Sequence, residues 1–372
     1  MRVTINALQY RSHSSGIGVL LRELFGRLEG ELPCRVVLSR DCPPFPEHPG
    51  SELVYAPFSN EQGLRRVLFQ TFVMGPKYCK NSVVLTTDSK APFFLPKSAR
   101  LVSVITDLAV FRMSEVYQGS RSLLWKLQYR YLCRRAERFI AISEFTKREL
   151  IDVLGIPAEK IDVVYCAAPE AMRRVENQAA LEVCREKYGL PPQFVLFVGN
   201  FNPRKNLDRL IRAFDRMKAA TGLPHELVIA GEQGWKFDRA AALAGVGHAA
   251  QVRFIGFVPD EDMPALYTLA DAFAFPTLYE GFGIPVIEAQ RCGAPVLTAD
   301  GSCMQEIGGD GAVYADPYSE AAIADALARI LSDEALRQRL VGAGYRNAAR
   351  FSWQASAEAL GDIIKRQMLK GP

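Results

Sequence analysis

The chain has no stretch of about 18 uncharged apolar residues, the length a membrane-spanning helix requires. This holds although 49% of its 372 residues are hydrophobic. None of its eight cysteines forms a Cys-x-x-Cys pair, and histidine is scarce at four. Zinc-site spacing is therefore missing, and a chain of this length needs no disulfide staples. Reduced thiols in a cytoplasmic protein are the expectation. A dense stripe of Lys and Arg is also lacking. Charged residues make up 23% and the net charge is +4. That balance sets aside a dedicated nucleic-acid binder and suits an anionic small ligand or an anionic membrane surface. The start, Met1–Leu8, is too short an apolar run for a signal-peptide core and reads as a first strand. There is no low-complexity segment and no clear internal repeat.

What is present is alternation. Strand-like apolar runs at Val3–Ile5, Arg35–Leu38, Leu53–Tyr55, Val83–Thr86, Arg100–Ile105, Arg138–Ile142 and Ile161–Val164 are interleaved with helical patterns. Arg121–Arg135 is one such helix, with Leu124, Leu127, Gln128, Tyr131 and Leu132 at helical spacing. Glu144–Leu154 is another, with Ser143 placed to cap it. A second series follows: strands Phe194–Val198, Glu226–Ala230, Val252–Phe254, Ala272–Phe275, Pro295–Ala299 and Ala312–Tyr314, with helices Leu207–Ala220, Met263–Ala270 and Ile284–Arg291 among them. The pattern predicts an α/β protein with two successive parallel sheets and ligands at the carboxyl ends of the strands. We place a first domain at residues 1–170, a polar connector at 171–192 and a second domain at 193–351. An amphipathic tail, about 352–372, is assigned back to the first domain.

The sharpest local feature follows Ala272–Phe275. The segment Glu280-Gly281-Phe282-Gly283-Ile284-Pro285 ends a loop and enters a helix that carries Glu288 one turn on. Pro285 suits the first helical turn, and the glycines let a ligand approach the backbone. The amides of Phe282, Gly283 and Ile284 would face an anion with the helix dipole behind them. Glu288 could accept hydrogen bonds from a vicinal diol such as a ribose, and Glu280 from sugar hydroxyls. By spacing alone, a plain strand-to-helix turn with two surface acids fits as well. A second loop, Val198-Gly199-Asn200 through Pro203-Arg204-Lys205-Asn206, sets two cations where a diphosphate would need them. A third, around Gly16-Ile17-Gly18, enters a helix, but Leu21 stands where a dinucleotide fingerprint needs a small residue. Asp260-Glu261-Asp262 has a metal–phosphate spacing. We read it instead as an N-cap at Asp260 with first-turn acids. The basic-aromatic helix Ser120–Arg135 suits an anionic membrane surface, or simply a helix with one buried face.

Taken together, these segments resemble the family 4 glycosyltransferases, retaining enzymes of the GT-B fold, and its bacterial mannosyltransferase-like members. The strongest stretch is Phe254–Pro317, which contains a Glu-x7-Glu motif as Glu280 and Glu288. The resemblance implies two Rossmann-like domains facing each other across a cleft. It implies that Lys205, with Arg204, holds the donor diphosphate beside Gly199 and Asn200. Glu288 would bind the ribose, Glu280 and the backbone of Phe282, Gly283 and Ile284 the transferred sugar, and Gly256, Phe257 and Val258 the base. Gly16 and Gly18 would close over the phosphates or the acceptor. Where the family commonly has His-Asp, this chain has Thr106-Asp107; the pair is assigned to the reactive end of the sugar, with Asp107 among the catalytic residues alongside Glu280, Lys205 and Arg204.

The implied reaction is transfer of a hexose from a nucleotide-diphosphate sugar to a hydroxyl of a glycan or polyprenyl-diphosphate-linked acceptor, with retention. No metal and no cofactor are expected. Gly231-Glu232-Gln233-Gly234-Trp235 resembles a stretch of mannosyltransferase-like members and favours GDP-mannose over UDP- or dTDP-sugars. Other readings on the same two-domain plan are a nucleotide-sugar epimerase and a non-catalytic scaffold subunit. The expected setting is envelope polysaccharide synthesis in the cytoplasm, with peripheral contact to the inner face of the membrane.

Overall fold

The computed structural model describes residues 1–10, 16–28, 32–45, 50–88, 90–113, 115, 120–232, 234 and 237–369. Thirteen strands are found among them. Those of the first sheet are β1 (Arg2–Asn6), β2 (Cys34–Ser39), β3 (Glu52–Ala56), β4 (Ser82–Thr87), β5 (Arg100–Ile105), β6 (Ala136–Ala141) and β7 (Ile161–Val163). Those of the second are β8 (Phe194–Val198), β9 (Glu226–Ala230), β10 (Val252–Gly256), β11 (Ala272–Phe275), β12 (Val296–Ala299) and β13 (Ala312–Ala315). All pairings are parallel. Parallel strands are covered by helices on both faces, so they read as unbroken apolar runs. Val83, Val84 and Leu85 are fully buried, as are Phe273, Ala274 and Phe275.

The first sheet runs β3-β2-β1-β4-β5-β6-β7 and the second β10-β9-β8-β11-β12-β13. Each therefore starts in its middle, winds outward, and reverses direction at one junction. That junction lies between β1 and β4 in one sheet and between β8 and β11 in the other. Crossovers on opposite faces leave a crevice there, at the carboxyl ends of the two strands. The topology alone thus nominates the loops after β1, β4, β8 and β11.

The chain divides into two compact units, residues 1–166 with 352–372, and residues 167–351. The segment 171–192, expected to connect domains, packs with the second unit: its helix Gln178–Tyr188 lies against helix Met263–Leu269. The final helix, Trp353–Leu369, packs in the first unit on β4 and on the helical run 16–28. Its Ser356 hydroxyl donates to the Tyr165 carbonyl at 2.7 Å.

Local signals explain most helix ends. Ser143 accepts from the Thr146 amide at 3.0 Å and caps helix Glu144–Leu154. One expectation fails. Asp260 does not cap the next helix: the N-cap position of Met263–Leu269 is Asp262, and its carboxylate makes no capping bond. It accepts instead from Lys187 Nζ and the Tyr188 hydroxyl, both at 2.6 Å, which outcompete a lone amide. In helix Ser120–Arg135 the buried face is Gln128, Tyr129 and Leu132, while Leu124 and Leu127 are 44% and 50% exposed. Of the residues at helical spacing, Gln128 and Leu132 face the core and Leu124 and Leu127 face away from it.

Candidate functional site

The second unit's reversal point is built from two loops tied together by backbone and side-chain bonds. After β8 the chain turns at Gly199, and Asn202 accepts from the Arg204 amide at 3.2 Å to start a single turn Pro203–Lys205. Asn206 then adopts a left-handed conformation, φ 63°, which few residues besides Gly and Asn tolerate. Its buried amide donates to the carbonyls of Pro276 and Pro317 at 2.8 and 2.7 Å. The Arg204 carbonyl in turn accepts from the Leu278 amide at 2.8 Å and the Thr277 hydroxyl at 2.9 Å. The loop after β11 is therefore latched onto the loop after β8.

Three charges converge on this latch. The Glu280 carboxylate accepts from Lys205 Nζ at 2.7 Å and from the Arg204 guanidinium at 3.1 Å. The Thr277 hydroxyl, whose one proton is shared with the Arg204 carbonyl, lies 3.2 Å from it. Glu280 is 7% exposed. Burial disfavours its charged form, but Arg204 and Lys205 prevail and hold its carboxyl below the usual range. The Lys205 ammonium also lies 4.5 Å from the centroid of the Phe275 ring. The cluster carries two cations against one carboxylate, and it sits where open α/β sheets bind ligands.

The helix Ile284–Arg291 begins beside it. Gly283 occupies its N-cap at φ 91°, and a Cβ there would come within 2.6 Å of Met304 Cε. Only glycine fits this entry. Pro285 lies in the first turn, as expected. Phe282 is buried and packs edge-to-face on Phe351, ring centroids 5.4 Å apart. Its carbonyl accepts from the Cys303 thiol at 3.2 Å. One turn into the helix, Glu288 accepts from the Tyr267 hydroxyl at 3.0 Å. Burial and the neighbouring Asp260 carboxylate push its pKa up to about 7, although Tyr267 works against the shift.

The remaining candidates of this unit lie along the same sheet edge. The Gly199 amide donates to Ala230 O at 3.0 Å and the Gly231 amide to Gly256 O at 2.7 Å. A Cβ on Gly231 would collide with the Gly199 carbonyl, so the two loops approach as only glycine allows. Asn200 is exposed. Phe257 is 42% exposed while Val258 is buried, so an aromatic ring is presented at the end of β10. Of the segment Gly231–Trp235, Gln233 and Trp235 lie outside the described residues.

Gly16, Gly18, Thr106 and Asp107 belong to the first unit. Gly16 and Gly18 form the first turn of a helix, Gly16–Leu20, with Gly16 exposed and Gly18 buried. Asp88 follows β4 in a left-handed conformation, φ 47°. Its carboxylate accepts from both the amide and the hydroxyl of Thr106 at 2.8 Å. Burial and the nearby Asp107 carboxylate raise the Asp88 pKa to about 6. Asp107 accepts from the Ala109 amide at 2.9 Å. Among the described residues, no three His, Cys, Asp or Glu side chains come together as a metal-holding group.

Several of these residues escaped sequence reasoning. Thr277, Asn206 and Tyr267 hold the named side chains in place, and Asp88 anchors Thr106. A polar residue directly after a strand, or an Asn directly before a helix, was the available signal; which residue each would meet was not.

Comparison with known proteins accounts for this arrangement. Residues 14–170 match the model of Glycosyltransferase Family 4, and residues 183–347 match that of Glycosyl transferases group 1. The chain is 31% identical over 265 residues to O-antigen chain mannosyltransferase B of Escherichia coli, covering 70% of this chain and 69% of that one. The chain belongs to the family 4 glycosyltransferases, and as such is a hexosyltransferase. Over 229 residues it is 32% identical to the serotype-specific mannosyltransferase WbdA of Escherichia coli; there the match spans 60% of this chain but only 28% of WbdA. In structure it resembles sucrose-phosphate synthase of Thermosynechococcus elongatus, with a TM-score of 0.77, 19% identity and 98% of each chain covered. Its fold is GT-B, two parallel α/β units.

Proposed function

We propose that the protein transfers a mannosyl residue from GDP-mannose to a hydroxyl of a growing envelope polysaccharide, with retention at the anomeric carbon. The observation that carries the reading is the convergence of Arg204 and Lys205 on Glu280 at the reversal point between β8 and β11. Two relatives named as mannosyltransferases support the sugar and the polysaccharide acceptor.

In this reading the donor diphosphate lies against Lys205, Arg204 and the amide of Asn200, beside Gly199. Charge grows on the leaving diphosphate as the glycosidic bond breaks, and fixed cations and a helix start stabilise it without reorganising. Glu280 keeps both cations in place. A carboxylate offers about four acceptor positions, and three of those on Glu280 are engaged by Arg204, Lys205 and Thr277. The fourth serves a sugar hydroxyl, next to the backbone of Phe282, Gly283 and Ile284. Glu288 takes the ribose diol, and Gly256, Phe257 and Val258 receive the guanine. Gly16 and Gly18 act at the phosphates or the acceptor, and Thr106 and Asp107 at the reactive end of the sugar. No metal or cofactor is required, and the leaving phosphate itself takes the acceptor proton. The work is done at the cytoplasmic face of the membrane, where a lipid-linked acceptor is available.

The test is a transfer assay with GDP-mannose, UDP-hexoses and dTDP-sugars as donors. Wild type should use GDP-mannose and give an α-linked product, and Glu288→Ala should lose at least about a hundredfold in kcat/KM. Turnover with UDP-hexoses alone would overturn the donor, and unchanged turnover in Glu288→Ala would overturn the site.

A further inference from the structure

The reversal point of the first unit holds two cations beside a small cavity. Two donors fix the chain just past β4. The Asn6 side-chain amide, at the end of β1, donates to the Lys90 carbonyl at 2.7 Å, and the Thr86 hydroxyl donates to it at 2.9 Å. The loop after β3 arrives from the other side. The Asn60 side-chain amide donates to the Tyr10 carbonyl at 2.9 Å and to the Ser39 hydroxyl at 2.6 Å. The Asn60 carbonyl accepts from the Arg66 guanidinium at 3.1 Å. These bonds hold Lys90 and Arg66 at the carboxyl ends of the strands, where open α/β sheets take ligands.

The cavity measures about 60 Å³, and Arg66, Gln70, Lys90, Trp125 and Gln128 are among its walls, with no Asp or Glu. Gln70 and Gln128 are buried, at 6% and 7% exposure. Among the described residues Lys90 makes no ion pair, and its ammonium lies 5.5 Å from the centroid of the Trp125 ring. Burial lowers the Lys90 pKa and the Arg66 charge adds to this, while the Asp88 carboxylate works against it. That carboxylate is already committed to both Thr106 bonds. A desolvated ammonium next to a guanidinium is costly until an anion joins them. Two buried amides offer further donors to the oxygens of such an anion. Sites for whole small molecules measure about 300 Å³ or more. This space is far smaller, so it admits one substituent and not a sugar ring.

We propose that this cavity receives an anionic substituent of the acceptor saccharide, a carboxylate or a phosphate ester, so that the acceptor is a charged glycan. Lys90 and Arg66 supply the counter-charge, and Gln70 and Gln128 bond the oxygens. The inference rests on the proposed function, in which a polysaccharide hydroxyl is the acceptor, and adds to it a charge that this acceptor carries. It concerns residues of the first unit alone.

The test is calorimetric titration of the full chain with glucuronate, mannose 6-phosphate and mannose. Saturating GDP is present to fill the diphosphate site. Wild type should bind at least one of the two anionic sugars at least about tenfold more tightly than mannose. Which of them binds tells a carboxylate from a phosphate ester. Lys90→Gln should lose at least about tenfold for that sugar, while its affinities for mannose and GDP stay as in wild type. Arg66→Gln provides the same readout should Lys90→Gln fail to fold. The proposal is overturned if mannose binds as tightly as the anionic sugars, if neither anionic sugar binds, or if both variants bind them as wild type does. Failure of wild type to bind GDP would count against the proposed donor instead. The same titrations without GDP, compared between wild type and Lys90→Gln, would then still decide the charge of the acceptor.

Discussion

The two sheets wind the same way, strand for strand through their first six strands, yet the carboxylates beside their reversal points feel different neighbours. Between β8 and β11, two cations enclose one buried carboxylate, and its pKa is lowered. After β4 and β5, the carboxylates of Asp88 and Asp107 approach each other, and the Asp88 pKa is raised to about 6. Topology makes the crevice in both cases; the loops decide what it can bind. A point with surplus positive charge suits a diphosphate. A point where two carboxylates and a threonine meet, with Lys90 opposing the rise of the Asp88 pKa, suits neutral hydroxyls. The difference fits a division of labour, donor in one unit and acceptor in the other, which we offer as the chemical meaning of the repeated topology.

The comparison can be broken by the same change made at both points. Glu280→Gln leaves two poorly exposed cations without a counter-charge and should cost about 3 kcal/mol of unfolding free energy near pH 8. Asp88→Asn keeps an oxygen for both Thr106 bonds and relieves repulsion, so it should cost about 1 kcal/mol or less. Urea titration measures both, and equal costs would erase the proposed contrast.

Stability against pH sharpens it further. Glu280 has a lowered pKa, so its contribution is present above the ordinary glutamate range and is lost as pH falls through the folded value. Asp88 has a raised pKa, so its contribution is present below the ordinary aspartate range and is lost as pH rises through about 6. Glu280→Gln should therefore flatten the acid limb of the stability curve. Asp88→Asn should remove a decline between about pH 4 and 6. Urea midpoints across pH 3–8 would show this; the same change in both variants would contradict it.

The smallest expected effect concerns Glu288. A ribose diol needs its carboxylate ionised, so GDP affinity should improve as pH rises through about 7. Tyr267→Phe removes the hydroxyl that favours the charged form, and should move this midpoint upward and weaken binding about threefold at pH 7. Calorimetric titration with GDP at several pH values reads both. A pH-independent affinity would remove Glu288 from the ribose.

Much of the fold could be read from the residues because parallel strands buried on both faces leave continuous apolar runs. Phe194–Val198, Glu226–Ala230 and Ala272–Phe275 are found with the expected bounds. The helix start at Ile284 was equally legible from Gly283 and Pro285. Side-chain direction was less so. Helical spacing in Arg121–Arg135 left open which residues meet the core; Gln128, Tyr129 and Leu132 do, and Leu124 and Leu127 do not. Pairings were not legible at all. Glu280 and Lys205 lie 75 residues apart, and only the crossover from β8 to β11 brings them to 2.7 Å. For the same reason the sequence points to Glu280 as a sugar ligand and catalytic residue but not to its hold on the two cations.

The central claim is that the reversal point between β8 and β11 is the diphosphate site. Calorimetric titration of GDP, guanosine and inorganic pyrophosphate into wild type and Lys205→Ala tests it most directly. Wild type should bind GDP far more tightly than guanosine and should bind pyrophosphate. Lys205→Ala should lose at least about thirtyfold for GDP and pyrophosphate, with guanosine unchanged. Equal GDP affinity in the two proteins, at unchanged fold, would contradict the account.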